Sequence, residues 1–162
     1  MADESMSAGE HHAIIDVATM ASMSGLQYLE AMMRGDVPRM PIEATLGFQI
    51  VEAEEGRTVF ESEPQVGHYN AIATVHAGYT ATLLDSSMAC AVLSTLPKGT
   101  GFTTMEFKIS LLRPMTKDTG LVRAEGLIMS RGRRAATAEG RLTDKRGKLI
   151  AHATTTCLVF SF

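Results

Sequence analysis

Apolar and polar positions follow two different periods along this chain, and the change falls near residue 41. Between residues 13 and 33, Ile14, Val17, Ala21, Leu26, Leu29 and Met33 recur at roughly helical spacing, with Asp16 and Glu30 elsewhere on the wheel. The pattern predicts an amphipathic helix, interrupted near Ser24-Gly25 and ended by Gly35-Asp36, Pro38 and Pro41. Period two then takes over. Residues 48–53 and 57–63 read as short strands around the turn Glu54-Glu55-Gly56. The clearest alternation is 104–111, which puts Met105, Phe107, Ile109 and Leu111 on one face and Thr104, Glu106, Lys108 and Ser110 on the other. Residues 121–129, 135–142 and 149–160 complete the set, and the short turns between them favour antiparallel neighbours.

One segment fits neither period. Residues 73–96 read ATVHAGYTATLLDSSMACAVLSTL, with Asp85 as the only formal charge. The stretch has the length of a membrane span, but a carboxylate near its middle costs about 2.5–3.5 kcal/mol on insertion. Its Ser, Thr, Gly and His content also argues against lipid. A helix apolar on nearly every face is otherwise the buried helix of a domain. The expected fold class is therefore α+β: a curved antiparallel sheet of five or six strands around one long central helix, with an extra N-terminal helix. The expected organisation is a tail and amphipathic helix over 1–40 and a sheet-and-helix domain over 41–162.

Composition narrows the field. The chain has 162 residues, net charge −3, 45% hydrophobic and 20% charged residues, which is ordinary globular usage. Asp and Glu (18) outnumber Lys and Arg (15), which argues against a nucleic-acid binder. Eleven Met and no Trp predict a core filled by flexible and small apolar side chains. Cys90 and Cys157 lie in apolar runs and read as buried free thiols, with no zinc pattern. The acidic start Met1-Ala2-Asp3-Glu4 lacks a secretory pattern, so the expected compartment is the cytoplasm. Residues 1–12, ending in His11-His12, read as a frayed polar tail.

Asp85 is the first candidate for chemistry. An ionised carboxylate in an apolar interior is costly, so it either locks packing through hydrogen bonds or sits in a cleft as a general base or nucleophile. Asn70, His76 and Gly78 cluster where the strand-rich region passes into the helix. The first N–H groups of a helix lack intrahelical acceptors and can stabilise a developing oxyanion. Asn70 could hold a water or a carbonyl; His76 could be a base, a positioning donor or a helix-start residue. If the helix starts near Ala77, Asp85 lies about 12 Å along its axis at about 1.5 Å per residue. One carbon cannot easily meet both ends of that span, because attack geometry requires contacts of about 3–3.5 Å. Two antiparallel copies could, with Ala77 of one facing Asp85 of the other. This predicts an obligate homodimer with interfacial sites, alone or as a dimer of dimers.

The spacing Asn70-x5-His76-Ala77-Gly78-x6-Asp85 resembles the hotdog-fold acyl-CoA thioesterases of the phenylacetate-degradation (PaaI-like) type. The later pieces Thr103-Thr104-Met105-Glu106, Leu112-Arg113-Pro114, Ser130-Arg131-Gly132-Arg133-Arg134 and Gly147-Lys148-Leu149-Ile150-Ala151 fit as well, so that the resemblance covers residues 38–160. It implies a hotdog fold and thioester hydrolysis, with Asp85 as general base or nucleophile and the Ala77 N–H polarising the carbonyl. It further implies that Asn70 positions the water or the carbonyl, and that Thr104 supports the water. Relatives of this type usually have Gly where this chain has Ala73 and Ala77. The resemblance implies no metal or cofactor, with coenzyme A present only as part of the substrate.

Arg131, Arg133 and Arg134 are open to two readings, contact with the phosphates of coenzyme A or solvated charge around a turn. Arg113 before Pro114 fits a structural turn. The leading function is hydrolysis of acyl-CoA thioesters, without nucleic-acid or membrane partners. The alternatives are an acyl-CoA or acyl-carrier binding module without turnover, and a hotdog hydratase or dehydratase.

Overall fold

Six antiparallel strands, β1 (Phe48–Glu54), β2 (Arg57–Ser62), β3 (Thr100–Leu111), β4 (Val122–Arg131), β5 (Ala135–Asp144) and β6 (Leu149–Ser161), form one sheet in the order β1-β2-β4-β5-β6-β3. Four helices accompany it: α1 (Val17–Ala21), α2 (Gly25–Arg34), α3 (Pro41–Leu46) and α4 (Ala77–Ser94). These elements come from a computed structural model that describes residues 11–162.

Helix α4 touches all six strands. Five inter-strand gaps of about 4.8 Å span roughly 24 Å, whereas a helix with its side chains is about 10–12 Å wide. The sheet can reach the helix along its whole width only by curling round it. The side chains that face α4 are accordingly small. Cross-strand partners share a face, and along this surface Thr58 pairs with Gly126, Gly126 with Gly140 and Gly140 with Ala153. A Cβ on Gly126 would lie 2.1 Å from the Ser87 carbonyl oxygen, and one on Gly140 would lie 2.9 Å from Met88. Thr58 Oγ1 donates to that same Ser87 carbonyl at 2.7 Å. Helix and sheet therefore meet at near-backbone distance, which accounts for a core with few aromatics.

The N-terminal helix breaks where the sequence indicated. Ser24 caps α2 by accepting from Gln27 N, and Gln27 returns a bond to the Ser24 N–H. Gly25 is required there because a Cβ would fall 1.7 Å from the Leu93 carbonyl oxygen of α4. Tyr28, Leu29 and Met32 of α2 join the same apolar core as the sheet and α4. The expectation of a frayed end over 1–12 is corrected at its last two residues. His12 forms a parallel bridge with Arg39, and Arg39 N donates to the His11 carbonyl at 2.8 Å. Those backbone bonds pin the segment; residues 1–10 lie outside the described residues.

A second correction concerns β3. Strict alternation put Thr104 on the face of Glu106 and Lys108, away from Phe107 and Ile109. The register instead pairs Thr104 with Cys157 and Glu106 with Thr156, leaving Met105 as the extra residue of a β-bulge. The bulge shifts the phase by one. Thr104, Phe107, Ile109 and Leu111 now oppose Cys157, Thr155, Ala153 and Ala151, the buried residues of β6. Thr104 thus turns toward α4, and Met105 is 55% exposed. Both cysteines are free and buried, as expected. Among the described residues, no helix is long and apolar enough to cross a membrane, and no group of His, Cys, Asp or Glu is arranged to hold a metal ion.

Candidate active site

The start of α4 determines which backbone donors are available. His76 is the N-cap, with extended backbone (φ −62°, ψ 140°), and its Nδ1 accepts from the Gly78 N–H at 2.8 Å. The His76 carbonyl accepts from Tyr79 N at 3.1 Å. Two of the three leading N–H groups are therefore engaged. The Ala77 N–H has no acceptor among the described residues. Ala77 is the first helical residue and lies outside the positive-φ region, so its methyl group leaves the N–H direction of a normal helix start intact. Of the three roles open to His76, this geometry is that of a helix-start residue. An Nδ1 that accepts a hydrogen bond leaves the proton of the neutral ring on Nε2.

Asn70 organises the loop that leads into the helix. Its N–H donates to the Thr74 carbonyl at 2.8 Å, and its own carbonyl accepts from Ala73 N at 3.2 Å. Its Oδ1 accepts from Ile72 N at 3.0 Å and from Thr74 N at 3.2 Å, and its Nδ2 donates to Thr74 Oγ1 at 2.9 Å. The tightness of this turn puts Ala73 at φ 60°, the left-handed region where glycine is at ease. Val75 N then donates to the Met115 carbonyl at 2.9 Å, which ties the loop to the connection between β3 and β4. A cleft of about 250 Å³ opens at this junction, lined by Asn70, Thr74, Ala77, Leu111, Leu112 and Met115 among others.

Asp85 lies two turns down α4 and is half-buried. Thr104 Oγ1 donates to Asp85 Oδ1 at 3.1 Å across the gap between helix and sheet. Burial pushes the Asp85 carboxyl above the usual carboxylate range, and the Thr104 hydroxyl pulls part of that shift back. Cys157 Sγ lies 4.0 Å from the same hydroxyl, and burial pushes the pKa of both the Cys90 and the Cys157 thiol up. Neither thiol has the exposed, electropositive setting of a reactive cysteine.

The structure thus sorts the sequence candidates into three groups within one chain. Asn70, His76, Ala77 and Gly78 gather at the helix start, and Asp85 pairs with Thr104 further along. Arg131, Arg133 and Arg134 form a third cluster in a groove of about 510 Å³ with Thr100 and Phe160. None of these three arginines takes part in an ion pair among the described residues. Arg113 donates from Nε to the Leu149 carbonyl at 3.0 Å, the bond of a turn.

Sequence reasoning missed Thr74 and the apolar wall of this cleft, and a buried carboxylate elsewhere. Thr74 was visible as a hydroxyl four residues after Asn70, but no local pattern signals that it accepts from the Asn70 amide. Leu111, Leu112 and Met115 wall the cleft through the crossover of β3, which no local pattern encodes. Glu43 is 1% exposed beside a separate cavity of about 770 Å³, with Arg39 at 3.3 Å and, among the described residues, no partner for its Oε1. Burial raises its pKa as well.

A helix enclosed by a curled antiparallel sheet is the hotdog fold. Comparison with known proteins carries the assignment further. The model of the thioesterase superfamily matches residues 73–151, from the Ala73 turn through α4 and into β6. Acyl-coenzyme A thioesterase 13 from Homo sapiens is 31% identical over 134 residues, covering 82% of this chain and 93% of that protein. A phenylacetic acid degradation-related protein from Ralstonia eutropha JMP134 is 31% identical, with a TM-score of 0.74 over 81% of this chain and 98% of its own. The E. coli PaaI protein shares the fold, with a TM-score of 0.73 at 20% identity, over 87% of this chain and 96% of its own. The chain belongs to the thioesterase superfamily.

Proposed function

We propose that this protein hydrolyses acyl-CoA thioesters in sites built by two copies of the chain. The observation that carries the reading is the Ala77 N–H, a helix-start donor without an acceptor among the described residues, in the same cleft as the Asn70 carboxamide. Two such donors suit the oxygen of a thioester carbonyl as it becomes an oxyanion. Asp85 of a facing copy takes a proton from water, the water oxygen bonds to the carbonyl carbon, and the carbon–sulfur bond breaks. The coenzyme A thiolate departs and is protonated, leaving the free acid. The Thr104 hydroxyl holds the carboxylate during this transfer.

The edge of the sheet supports the assembly. β3 is an edge strand of twelve residues, and its Met105, Phe107 and Leu111, with Leu112 just after it, are exposed. Long apolar edges of this kind invite pairing with another strand. A two-fold axis across β3 sets two α4 helices antiparallel on one face, which brings Ala77 of each copy toward Asp85 of the other. The arginine groove fits the phosphates of coenzyme A. Its Thr100 lies four residues along β3 from Thr104, about 13 Å at about 3.3 Å per residue, a span that the extended pantetheine arm covers.

A panel of acyl-CoAs with detection of the released thiol tests the reading. The wild-type protein is expected to turn over at least one of them, and Asp85→Asn to lose about 10²-fold or more of kcat. Wild-type rates in Asp85→Asn with the best substrate would refute the assignment.

A further inference from the structure

The Asn70 carboxamide is oriented by chemistry that leaves no choice of flip. Two backbone N–H groups, of Ile72 and Thr74, converge on one end of the amide, and donors must meet the oxygen. The nitrogen is therefore at the other end, where Thr74 Oγ1 accepts one of its two protons at 2.9 Å. The second Nδ2 proton has no acceptor among the described residues, and Asn70 and Thr74 line the same cleft as Ala77. An sp² nitrogen holds its two protons in a fixed plane, so a partner on the first sets the direction of the second.

We infer that Thr74 is a positioning residue of the thioesterase site: its hydroxyl oxygen locks the Asn70 carboxamide so that the remaining Nδ2 proton is held beside the Ala77 N–H for the substrate carbonyl. The inference rests on the reading of Asn70 and Ala77 as the carbonyl-binding pair. The backbone of Thr74 already closes the turn, through its N–H to Asn70 Oδ1 and its carbonyl to Asn70 N. The hydroxyl is thus not needed to form the loop. Its contribution is the torsional setting of the amide, and misdirected catalytic groups lose rate rather than binding.

The test is a set of full-length variants, Thr74→Val, Thr74→Ser, Asn70→Ala and the double Asn70→Ala/Thr74→Val, assayed on the best acyl-CoA with a melting curve for each. Valine keeps the shape and the backbone bonds and removes only the oxygen. Thr74→Val is expected to lower kcat by about ten- to a hundredfold with KM within about twofold, and Thr74→Ser to restore kcat. Because Thr74 acts through Asn70, the double variant is expected to be no slower than Asn70→Ala alone. If Thr74→Val does not fold, Thr74→Ala and its double with Asn70→Ala supply the same cycle. Wild-type kcat in a folded Thr74→Val, failure of Thr74→Ser to restore it, or losses that multiply in the double variant would overturn the inference. An impaired Asn70→Ala with an unimpaired Thr74→Val defeats this inference alone. A wild-type protein without turnover on any acyl-CoA defeats the parent reading and this one with it.

Discussion

Asp85 stands between opposed influences, and the balance can be read from its pH dependence. Desolvation at the helix–sheet contact favours the neutral acid, whereas the Thr104 hydroxyl donates to the carboxylate and favours the ion. A general base works only when ionised, so the role proposed for Asp85 has activity falling as pH drops through its pKa. Removing the hydroxyl takes away the stabilisation of the ion, and the pKa rises further. Thr104→Val is therefore expected to move the acidic limb of the kcat/KM profile to higher pH, while Thr104→Ser leaves it near the wild-type position. A profile for Thr104→Val that superimposes on the wild type would show that the hydroxyl does not act on this carboxylate. At the start of α4, the Ala77 N–H depends little on the residue's side chain. Its methyl group leaves the N–H at the first turn unchanged in kind.

Helix α4 can reach Thr104 only because the sheet beneath it lacks side chains at the right places. Gly126 and Gly140 are direct cross-strand partners, and both lie under the Leu84–Ser87–Met88 stretch that flanks Asp85. Gly126→Ala would drive a methyl group into the Ser87 carbonyl and lift α4 away from β4. It is expected to destabilise the protein by about 3 kcal/mol or more, measured by denaturant unfolding, with the loss of activity exceeding the loss of fold. Strand β3 carries the complementary lesson. Its hydrophobic alternation showed that a strand was there, but a bulge is the excess of one strand over its partner. Met105 looks like any other apolar residue until β6 is laid beside it, so the facing of Thr104 was legible only through the family resemblance.

At the scale of the whole molecule, Ala77 stands at the start of α4 and Asp85 two turns on, so under the proposed mechanism these two groups of one chain serve different sites. This separation predicts complementation. Ala77→Pro removes the N–H at the first helical position, where proline is well tolerated and the extended His76 suits a following proline. Alone, Ala77→Pro and Asp85→Asn are each expected to be nearly inactive. Unfolded together and refolded as a mixture, they form mixed dimers with one intact site, and about a quarter of the wild-type activity should return. No recovery from folded, dimeric mixtures would place both groups of a site in the same chain. The same scale explains the tethered N-terminal segment: α2 fills the core against α4 through Gly25, and the His11–His12 backbone is held by Arg39. Nothing in the polarity of residues 1–12 signals such a partner.

By itself, the sequence determined the elements and their class, because periodicity, capping and turn chemistry are set by near neighbours. It also exposed Asp85, since one charge in 24 otherwise uncharged residues is a local anomaly. It suggested a helix start near Ala77, and the family resemblance gave Asn70 its place in the approach to it. Only the tertiary structure decided which way Thr104 faces, which N–H at the start of α4 remains free, how the Asn70 amide is turned, and that α2 shares the core. Each of these depends on contacts between segments far apart in the chain or on competition among neighbouring donors for the same acceptors. Register and hydrogen-bond assignment are settled when all partners are present at once, and no window of sequence contains them all.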